Sequence, residues 1–496
     1  MAINKNHLLL ALILCGSIFL LFANINNQYL WQDEAETALV SKTILTGGLP
    51  RGYDGKNYFS QLEGADCGLS YVWRYHSWLP FYVLAGCYKI FGIDTFTSRL
   101  PFLLFGFGTV VLVYFFSNKL WSNTRIAFLA VILLSISVPF LLLCRQSRYY
   151  SMAMFFTILS LYAYRLFLER KKYGGIMIIA VSTLLFHSQY IYIGIFFATI
   201  LFHSFIFYRE QFKGLLLVVL ITAFMQIPWL LWWIKGLSHP NEKLFETSFL
   251  TTIKVIYLYL NQINDYVFPL WMLIVLVLVI ILKKVNIQNY ISRKSVLTEK
   301  ISLLILFIVF NIIFISAATP DWYFRYIGPS LPLLIILLAV FINYFYSVHR
   351  LAGIAAVLLL IATGQMKDYL HEITHDYDGP IEGIVKYLNE HADSNDIAVI
   401  TFGDLPLKFY TRLKIVGGST GEDLSPAKEA HWIILRARIN NKRVFDYLTE
   451  NIDQSEYREI EIDYPDVIWQ NREDPAYHHF RTPKSPNKVR ILEKIR

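Results

Sequence analysis

Charged residues are scarce in this chain. Only 17% of its 496 residues are Asp, Glu, Lys or Arg, whereas soluble domains carry roughly 25%. This excludes an ordinary soluble protein, and the 55% share of hydrophobic residues excludes an intrinsically disordered one. Cysteine is also scarce, at four residues, so no disulfide framework is expected, although Cys67 and Cys87 flank a segment in which a bridge could form. Internal repeats and low-complexity segments are lacking as well.

The apolar residues that dominate the chain come in long blocks, such as LLLALILCGSIFLLFA and ISLLILFIVFNIIFISAA. An uncharged block of roughly 18 residues or more is long enough to cross a bilayer as a helix. The sequence therefore predicts an α-helical polytopic membrane protein, with a membrane domain over residues 1–365 and a first span that is retained as an anchor. About eleven spans are expected, near residues 8–24, 98–117, 126–143, 149–168, 174–190, 191–208, 214–234, 267–282, 300–317, 326–346 and 351–365.

The positive charge is distributed unevenly between the loops. Lys and Arg outnumber Asp and Glu by 45 to 37, and they gather in alternate loops, for example at Arg170–Lys172. Cytoplasmic loops of membrane proteins collect Lys and Arg. This pattern predicts a cytoplasmic N-terminus, and an odd number of spans then places the first loop, 25–97, and the C-terminal tail on the extracytoplasmic side.

Both of these regions show structure of their own. The first loop contains a helix-like segment from Asp33 to Thr46 and an apolar stretch, WLPFYVLAGCYKIFG, which is expected to lie as a helix in the membrane interface. In the tail, 366–496, helical segments such as PIEGIVKYLNEH and DLPLKFYTRL alternate with strand-like segments such as IAVITF, HWIILR, REIEI and VRIL. That alternation predicts a small α/β domain, which we expect to cover the outer loops and assist acceptor binding.

An acidic cluster directly follows the first predicted span. Asp33 and Glu36 have the spacing of an N-cap residue and its capping-box partner, so helix capping is one interpretation. The other is a carboxylate held at the membrane surface as a general base or metal ligand. The two interpretations are compatible and stay open at this point.

Arginine occurs on the outer side, against the usual topological bias. Arg145 and Arg148 lie three residues apart, on one face if the segment is helical, and Arg325 lies among aromatic residues. Guanidinium groups make bidentate contacts to phosphate; the alternative is side chains that merely extend to the interface. Carboxylates together with these arginines would suit a substrate with a lipid phosphate and a hydroxyl acceptor, such as a lipid-phosphate-linked sugar.

The order of the local motifs resembles that of the GT-C glycosyltransferases. The similar branch is glycosyltransferase family 39 and its relatives, which contains the protein O-mannosyltransferases and the lipid A aminoarabinose transferases. The resemblance covers the layout of residues 8–365, and the stretch with Asn471, Pro475 and His478 looks like the outer domain of some bacterial members. The motifs are Asp33-Glu34-Ala35, the apolar stretch followed by Ser98-Arg99-Leu100-Pro101, Arg145-Gln-Ser-Arg148-Tyr149, and Arg325-Tyr326.

The resemblance implies an inverting enzyme that takes a sugar from a polyprenyl-phosphate donor and transfers it to a hydroxyl acceptor. Asp33 is then the expected general base, with Glu34 as the second catalytic candidate. The candidates for binding donor phosphate are Arg145, Arg148 and Arg325, followed by Arg74, His76 and Arg99.

One motif departs from the family pattern, and the metal question stays open. Many relatives carry Lys-Pro-Pro or His-Pro-Pro where this chain has His76-Ser77-Trp78-Leu79-Pro80, so only His76 keeps a basic side chain there. Metal dependence varies in the superfamily, and no cofactor is certain. The candidate ligands for a divalent cation are Glu34, Glu63, Asp66 and His187.

Two other functional classes compete with the enzyme. A transporter or flippase of a lipid-linked or anionic substrate would show paired halves and charges at mid-membrane, and this sequence shows neither. A scaffold that merely anchors the tail leaves the outer arginines unexplained. Membrane lipid is an expected partner and nucleic acid is not.

Overall fold

The computed structural model describes residues 5–68, 70–236, 247–272, 274, 296–436, 442–467 and 474–495. Its larger part is helical. The helices of this part are α1 Lys5–Phe22, α2 Gln32–Gly47, α3 Leu79–Phe91, α4 Thr95–Trp121, α5 Thr124–Ser135, α6 Val138–Cys144, α7 Tyr150–Leu168, α8 Gly174–Ser188, α9 Ile191–Phe207, α10 Arg209–Gly236, α11 Phe249–Tyr266, α12 Val296–Ala318, α13 Leu331–Val348 and α14 Arg350–Thr363.

The predicted helical membrane architecture is confirmed. Helices lie at every predicted span except 267–282, which falls mostly outside the described residues. Within the described ranges six helices are long and apolar enough to cross a membrane, or up to eight if each bent pair forms one span; the figure of eleven stays a prediction. One bent pair is α5 and α6, which meet at 64°. The bend follows from Pro139 in the first turn of α6, since proline has no N–H to continue the ladder of α5.

The charged loops group at one end of the helical body. Lys119, in the last turn of α4, forms an ion pair of 2.7 Å with Glu169, and Arg170 pairs with Glu210 at 3.2 Å. These are the loops that the sequence predicts to be cytoplasmic. The first loop and the tail meet at the other end. The grouping agrees with the predicted parity, and the side of the membrane that each end faces stays a prediction.

The start of α2 differs from the predicted capping box. The helix begins at Gln32, so Trp31 occupies the N-cap position and Glu34 the third helical position. The backbone N–H of Trp31 donates to Glu34 Oε2 at 3.4 Å. Because Glu34 takes the place that the sequence analysis assigned to Glu36, the carboxylates of Asp33 and Glu36 are available for other contacts.

The tail forms the expected α/β domain. Its elements are α15 Met366–Glu372, α16 Pro380–His391, β1 Ile397–Ile400, α17 Asp404–Tyr410, β2 Lys414–Gly417, β3 Trp432–Leu435, α18 Lys442–Asn451, β4 Tyr457–Pro465 and β5 Lys488–Lys494. The strand order is β2-β1-β3-β5-β4, with β1 parallel to β2 and β3, and β5 antiparallel to β3 and β4. Strand β2 was missed by the sequence analysis, which extended the preceding helical segment to Leu413, directly before the strand begins at Lys414. The domain boundary at residue 366 stays a prediction.

Two further expectations concern the first loop. The apolar stretch after Trp78 is helical, as α3, and its Ile90 and Phe91 side chains are exposed, as a helix in the interface would require. Cys67 and Cys87 are both free thiols, so the bridge that their positions allowed does not form.

Candidate active site

A cavity of about 530 Å³ lies at the end of the helical body where the first loop and the tail meet. The start of α2 and the following loop form one wall. The segments before α7, before α9 and after α12 form the others. The charged or strongly polar side chains that line the cavity are Asp33, Glu36, Gln61, Asp66, His76, Arg148, Gln189, Asp321 and Arg325. Five tyrosines add an aromatic surface: Tyr75, Tyr149, Tyr190, Tyr192 and Tyr326.

Two carboxylates on one face of α2 meet two arginines in this cavity. Asp33 and Glu36 are three residues apart and therefore share a helix face. Arg325 Nη1 donates to Asp33 Oδ2 at 2.9 Å. Arg148 Nη1 donates to Glu36 Oε1 at 2.8 Å, and Arg148 Nη2 lies 3.8 Å from Asp33 Oδ2. The acids and arginines that the sequence analysis took from separate loops thus form one network.

The orientation of both guanidinium groups is restrained by their surroundings. Arg148 Nη1 also donates to the backbone oxygen of Asp33 and to the hydroxyl of Thr37, both at 3.1 Å. Arg325 lies over the rings of Tyr323 and Tyr326, at 4.5 and 5.3 Å from the ring centroids. Such cation–π contacts hold a guanidinium in place without occupying its N–H donors. Both arginines are therefore suited to bind an anion that enters the cavity.

Gln61 links the two carboxylates. Its Nε2 donates to Glu36 Oε2 and lies 3.4 Å from Asp33 Oδ1. Asp66 orders the same loop, since its Oδ1 accepts from the Ser60 hydroxyl at 2.5 Å and its Oδ2 from the Gln61 backbone N–H at 2.9 Å. The loop thus delivers an amide donor to the acidic pair.

Burial changes the protonation of two groups in the network. Desolvation raises the pKa of Glu36 to about 7, against an opposing effect of the Arg148 charge. Burial, reinforced by the charges of Arg148 and Arg325, lowers the pKa of His76 well below its usual range. His76 lies in the cavity with Nε2 at 3.3 Å from Arg148 Nη2. As a neutral ring it can accept a hydrogen bond there, but it does not supply the positive charge that a phosphate-binding role assumes.

Glu34 and Arg99 are paired with each other, away from the cavity. Arg99 Nε and Nη2 donate to the two carboxylate oxygens of Glu34 at 2.8 and 2.7 Å, and both side chains are buried. The remaining Arg99 donor, Nη1, reaches the backbone oxygens of Ile25 and Gln28. Glu34 also accepts from the backbone N–H of Ser147 at 2.8 Å. The pair therefore fastens α2 to its neighbours. Neither side chain lines the cavity, and the catalytic role of Glu34 and the phosphate-binding role of Arg99 stay predictions.

Two other arginines also lie outside the cavity. Arg145 Nη1 donates to the backbone oxygens of Leu21 and Ala23 at 2.9 Å each, so it binds the end of α1. Arg74 lies over the ring of Trp232, 4.8 Å from its centroid. Of the arginines proposed for donor phosphate, the cavity is lined by Arg148 and Arg325.

The four candidate metal ligands are not brought together. Glu34 binds Arg99, Asp66 faces the cavity, Glu63 donates its backbone N–H to Ser419 O at 3.1 Å, and His187 packs edge-on against Trp229. Within the described ranges, no three His, Cys, Asp or Glu side chains are arranged to hold a metal ion. Metal dependence therefore has no support from the geometry of these four residues.

The sequence analysis missed two polar residues of the network. Glu36 had a signal, because its spacing from Asp33 places both on one face of a helix, but it was interpreted as a capping residue. Gln61 had no signal, since it lies in a loop 25 residues from Glu36 and belongs to no motif.

The comparisons with known proteins agree with this architecture. Residues 75–232 match the family model described as dolichyl-phosphate-mannose-protein mannosyltransferase. No curated protein matches the chain. Among solved structures, ArnT from Cupriavidus metallidurans bound to undecaprenyl phosphate aligns with a TM-score of 0.57 and 13% identity, covering 99% of this chain and 98% of that one.

A second fold match is archaeal. The oligosaccharyltransferase AglB from Archaeoglobus fulgidus, in complex with an inhibitory peptide and a dolichol-phosphate, aligns with a TM-score of 0.53 and 10% identity over 87% of this chain and 69% of that one. Another structure of the Archaeoglobus fulgidus oligosaccharyltransferase, with Zn and sulfate, has a TM-score of 0.54. The protein is thus an integral membrane protein whose fold is similar to that of ArnT and whose residues 75–232 resemble the dolichyl-phosphate-mannose-protein mannosyltransferases.

Proposed function

We propose that this protein is an inverting glycosyltransferase that moves a sugar from a polyprenyl-phosphate donor to a hydroxyl acceptor on the outer face of the membrane. The observation that carries the proposal is the meeting of Asp33, Arg148 and Arg325 in one cavity. A carboxylate can accept a proton, and two fixed guanidinium groups can neutralise a phosphate leaving group. The ArnT and AglB structures hold undecaprenyl phosphate and dolichol-phosphate respectively, which supports this class of donor.

The proposed reaction is a single displacement at the anomeric carbon. The acceptor oxygen forms a bond to that carbon as its proton passes to a carboxylate oxygen of Asp33. The bond between the anomeric carbon and the phosphate oxygen breaks, and the electron pair leaves with the polyprenyl phosphate. Attack and departure on opposite faces of the sugar give inversion, with oxocarbenium-like charge at the carbon in between.

Asp33 and the donor phosphate compete for Arg325 in this reaction. Arg325 Nη1 binds Asp33 Oδ2 at 2.9 Å, and an acceptor proton needs that same oxygen or its neighbour. We expect the donor phosphate to compete for the guanidinium, because its two non-ester oxygens can accept both N–H groups as a carboxylate does, and because it gains a second negative charge as the sugar leaves. Asp33 would then be a better base with the donor bound than without it.

The direct test is transfer by the purified full-length protein. The protein in detergent is incubated with a panel of radiolabelled polyprenyl-phosphate sugars and candidate hydroxyl acceptors, and labelled product is measured. Asp33→Asn should lower turnover by about 10²-fold or more, because the base is lost. The variant should still fold, since Asp33 is not the N-cap residue of α2 and the asparagine oxygen can still accept from Arg325.

The matched control is Asp463→Asn, the same substitution at a tail carboxylate that is 91% exposed. It should transfer sugar at the wild-type rate. Full activity in Asp33→Asn would contradict the assignment of the base, and absence of transfer from every donor would contradict the proposed reaction class.

A further inference from the structure

The tail contacts the same two segments that build the acidic network. The first segment is the start of α2. The backbone N–H groups of Tyr29 and Leu30 donate to Glu382 Oε1 and to the hydroxyl of Tyr410, both at 2.9 Å. Gln32 Nε2 donates to Asp404 Oδ1 at 2.8 Å. Gln32 is the residue directly before Asp33, so the tail binds α2 next to the proposed base.

The second segment is the loop that carries Gln61. Asn57 exchanges two hydrogen bonds with the tail, donating to Leu413 O at 3.1 Å and accepting from the Ile415 N–H at 2.9 Å. On the other side of Gln61, the Glu63 N–H donates to Ser419 O at 3.1 Å. Gln61 is therefore flanked on both sides by residues whose backbone or side chain the tail holds.

One buried ion pair of the tail touches both segments. Lys408 Nζ lies 2.8 Å from Asp404 Oδ2, and both side chains are completely buried. Asp404 accepts from Gln32 through its other oxygen, and Lys408 Nζ donates to the backbone oxygen of Tyr58 at 2.6 Å. A buried ion pair costs desolvation free energy and adds little to stability by itself. Its contacts point instead to a role in holding two segments at a fixed separation.

We propose that Asp404 and Lys408 are positioning residues that hold α2 and the Gln61 loop so that Asp33, Gln61 and Glu36 form their network. The tail then affects the chemistry indirectly, by holding the first loop in place, in addition to any contact with the acceptor. This inference rests on the proposed function for its effect on turnover. Its structural part stands without that function.

Two substitutions test the pair from its two sides. Lys408→Met removes the contact to Tyr58, and Gln32→Met removes the contact to Asp404 from outside the tail, so it leaves the interior of the tail intact. The full-length protein in detergent is used. Amide hydrogen exchange should become about 10-fold faster or more in residues 56–66 of Lys408→Met and in residues 31–36 of Gln32→Met, because opening of these segments becomes easier.

The kinetic readout separates positioning from binding. Misplacement of a reacting group by about 1 Å can cost about 10² in rate, so the turnover number should fall by up to about 100-fold in both variants. The dissociation constant of undecaprenyl phosphate should stay within about threefold of wild type, because Arg148 and Arg325 belong to other segments.

The matched control is Tyr457→Phe. It removes a buried hydrogen bond of 2.7 Å between the Tyr457 hydroxyl and Ala430 O, within the tail. This variant should leave exchange in 31–36 and 56–66, and turnover, unchanged. Unchanged exchange in both first-loop segments of the two test variants would overturn the proposal, as would equal effects of Tyr457→Phe. If Lys408→Met does not fold, Gln32→Met decides the question. If the wild type transfers no sugar, the proposed function fails and the exchange data still decide the positioning role.

Discussion

The two faces of α2 carry the same chemistry and differ in what surrounds it. On one face, Glu34 binds Arg99 with both oxygens, and every neighbouring group is buried protein. On the other face, Asp33 and Glu36 bind Arg325 and Arg148 at the wall of a cavity of about 530 Å³. The first pair joins helices together. The second can exchange its partners for a substrate, because the cavity gives a substrate access to the same donors and acceptors.

The difference teaches how neighbouring acids acquire separate roles. Asp33 and Glu34 are adjacent in the sequence, and a helix turns successive residues by about 100°. Adjacent side chains therefore face different surroundings. A motif such as Asp-Glu-Ala marks the place of a site, and the direction of the helix decides which of its acids enters the cavity.

The largest expected effect is the loss of stability when the buried Glu34–Arg99 pair is broken. Arg99→Ala leaves Glu34 as a buried carboxylate without its guanidinium, and we expect a loss of about 3–5 kcal/mol in the free energy of unfolding. Thermal unfolding of the purified protein in detergent measures it. Arg458→Ala is the control, since the Arg458 side chain is largely exposed and its ion pair with Glu493 is screened by water, so that its removal should lower the free energy of unfolding far less. Equal losses in the two variants would contradict the structural role of the Glu34–Arg99 pair.

A second prediction concerns the binding of donor phosphate by Arg148 and Arg325, the two arginines that line the cavity. Arg148→Ala and Arg325→Ala should each weaken binding of undecaprenyl phosphate by about 10-fold or more, as expected for a lost charge-assisted hydrogen bond. Arg325→Lys should lose less, because it keeps the charge without the fork. The measurement is the dissociation constant, determined apart from turnover.

Arg145→Ala is the matched control for this series. Arg145 binds backbone oxygens at the end of α1, so its removal should lower stability and leave the dissociation constant unchanged. Weaker binding in Arg145→Ala alone would place the phosphate near α1 instead of the cavity.

A third prediction concerns pH and the protonation of Glu36. Burial raises its pKa to about 7 in the folded protein, above the ordinary value of about 4.3 for an unfolded chain. Between these two values the folded state holds a proton that the unfolded state has lost, so stability should decrease as the pH rises. The slope contributed by this group is about 1.4 kcal/mol per pH unit, and the decrease ends above pH 7.

Glu36→Gln isolates this contribution, because glutamine has a similar shape and does not titrate. The difference in unfolding free energy between the wild type and Glu36→Gln should vary with pH from about 4.3 to 7 and be constant above. A difference that is independent of pH across this range would show that Glu36 is ionised in the folded protein at all these values.

Much of the fold was predictable because its signals are local. A membrane span is a continuous apolar block, and its length alone indicates a crossing helix. Helices α16 and α17 and strand β1 followed from short-range patterns in the tail in the same way. Strand β2 was missed because the helical pattern of DLPLKFYTRL continues to Leu413, whereas the helix ends at Tyr410 and the strand begins at Lys414. The broken span at Pro139 was predicted as a single block, since hydropathy does not register the bend.

For the site, the sequence by itself determined which residues were candidates, and the tertiary structure decided between them. Asp33, Arg148 and Arg325 are polar groups at span ends, where burial is costly, and this marks them from sequence alone. The partners of these residues depend on how the helices pack. Asp33 binds Arg325, which lies 292 residues further along the chain. Glu34 binds Arg99, and Arg145 binds the end of α1. Gln61 and the Asp404–Lys408 pair could not be predicted for the same reason, because their partners are distant in sequence. Only the packing of the first loop against the tail and α2 brings these groups within hydrogen-bonding distance.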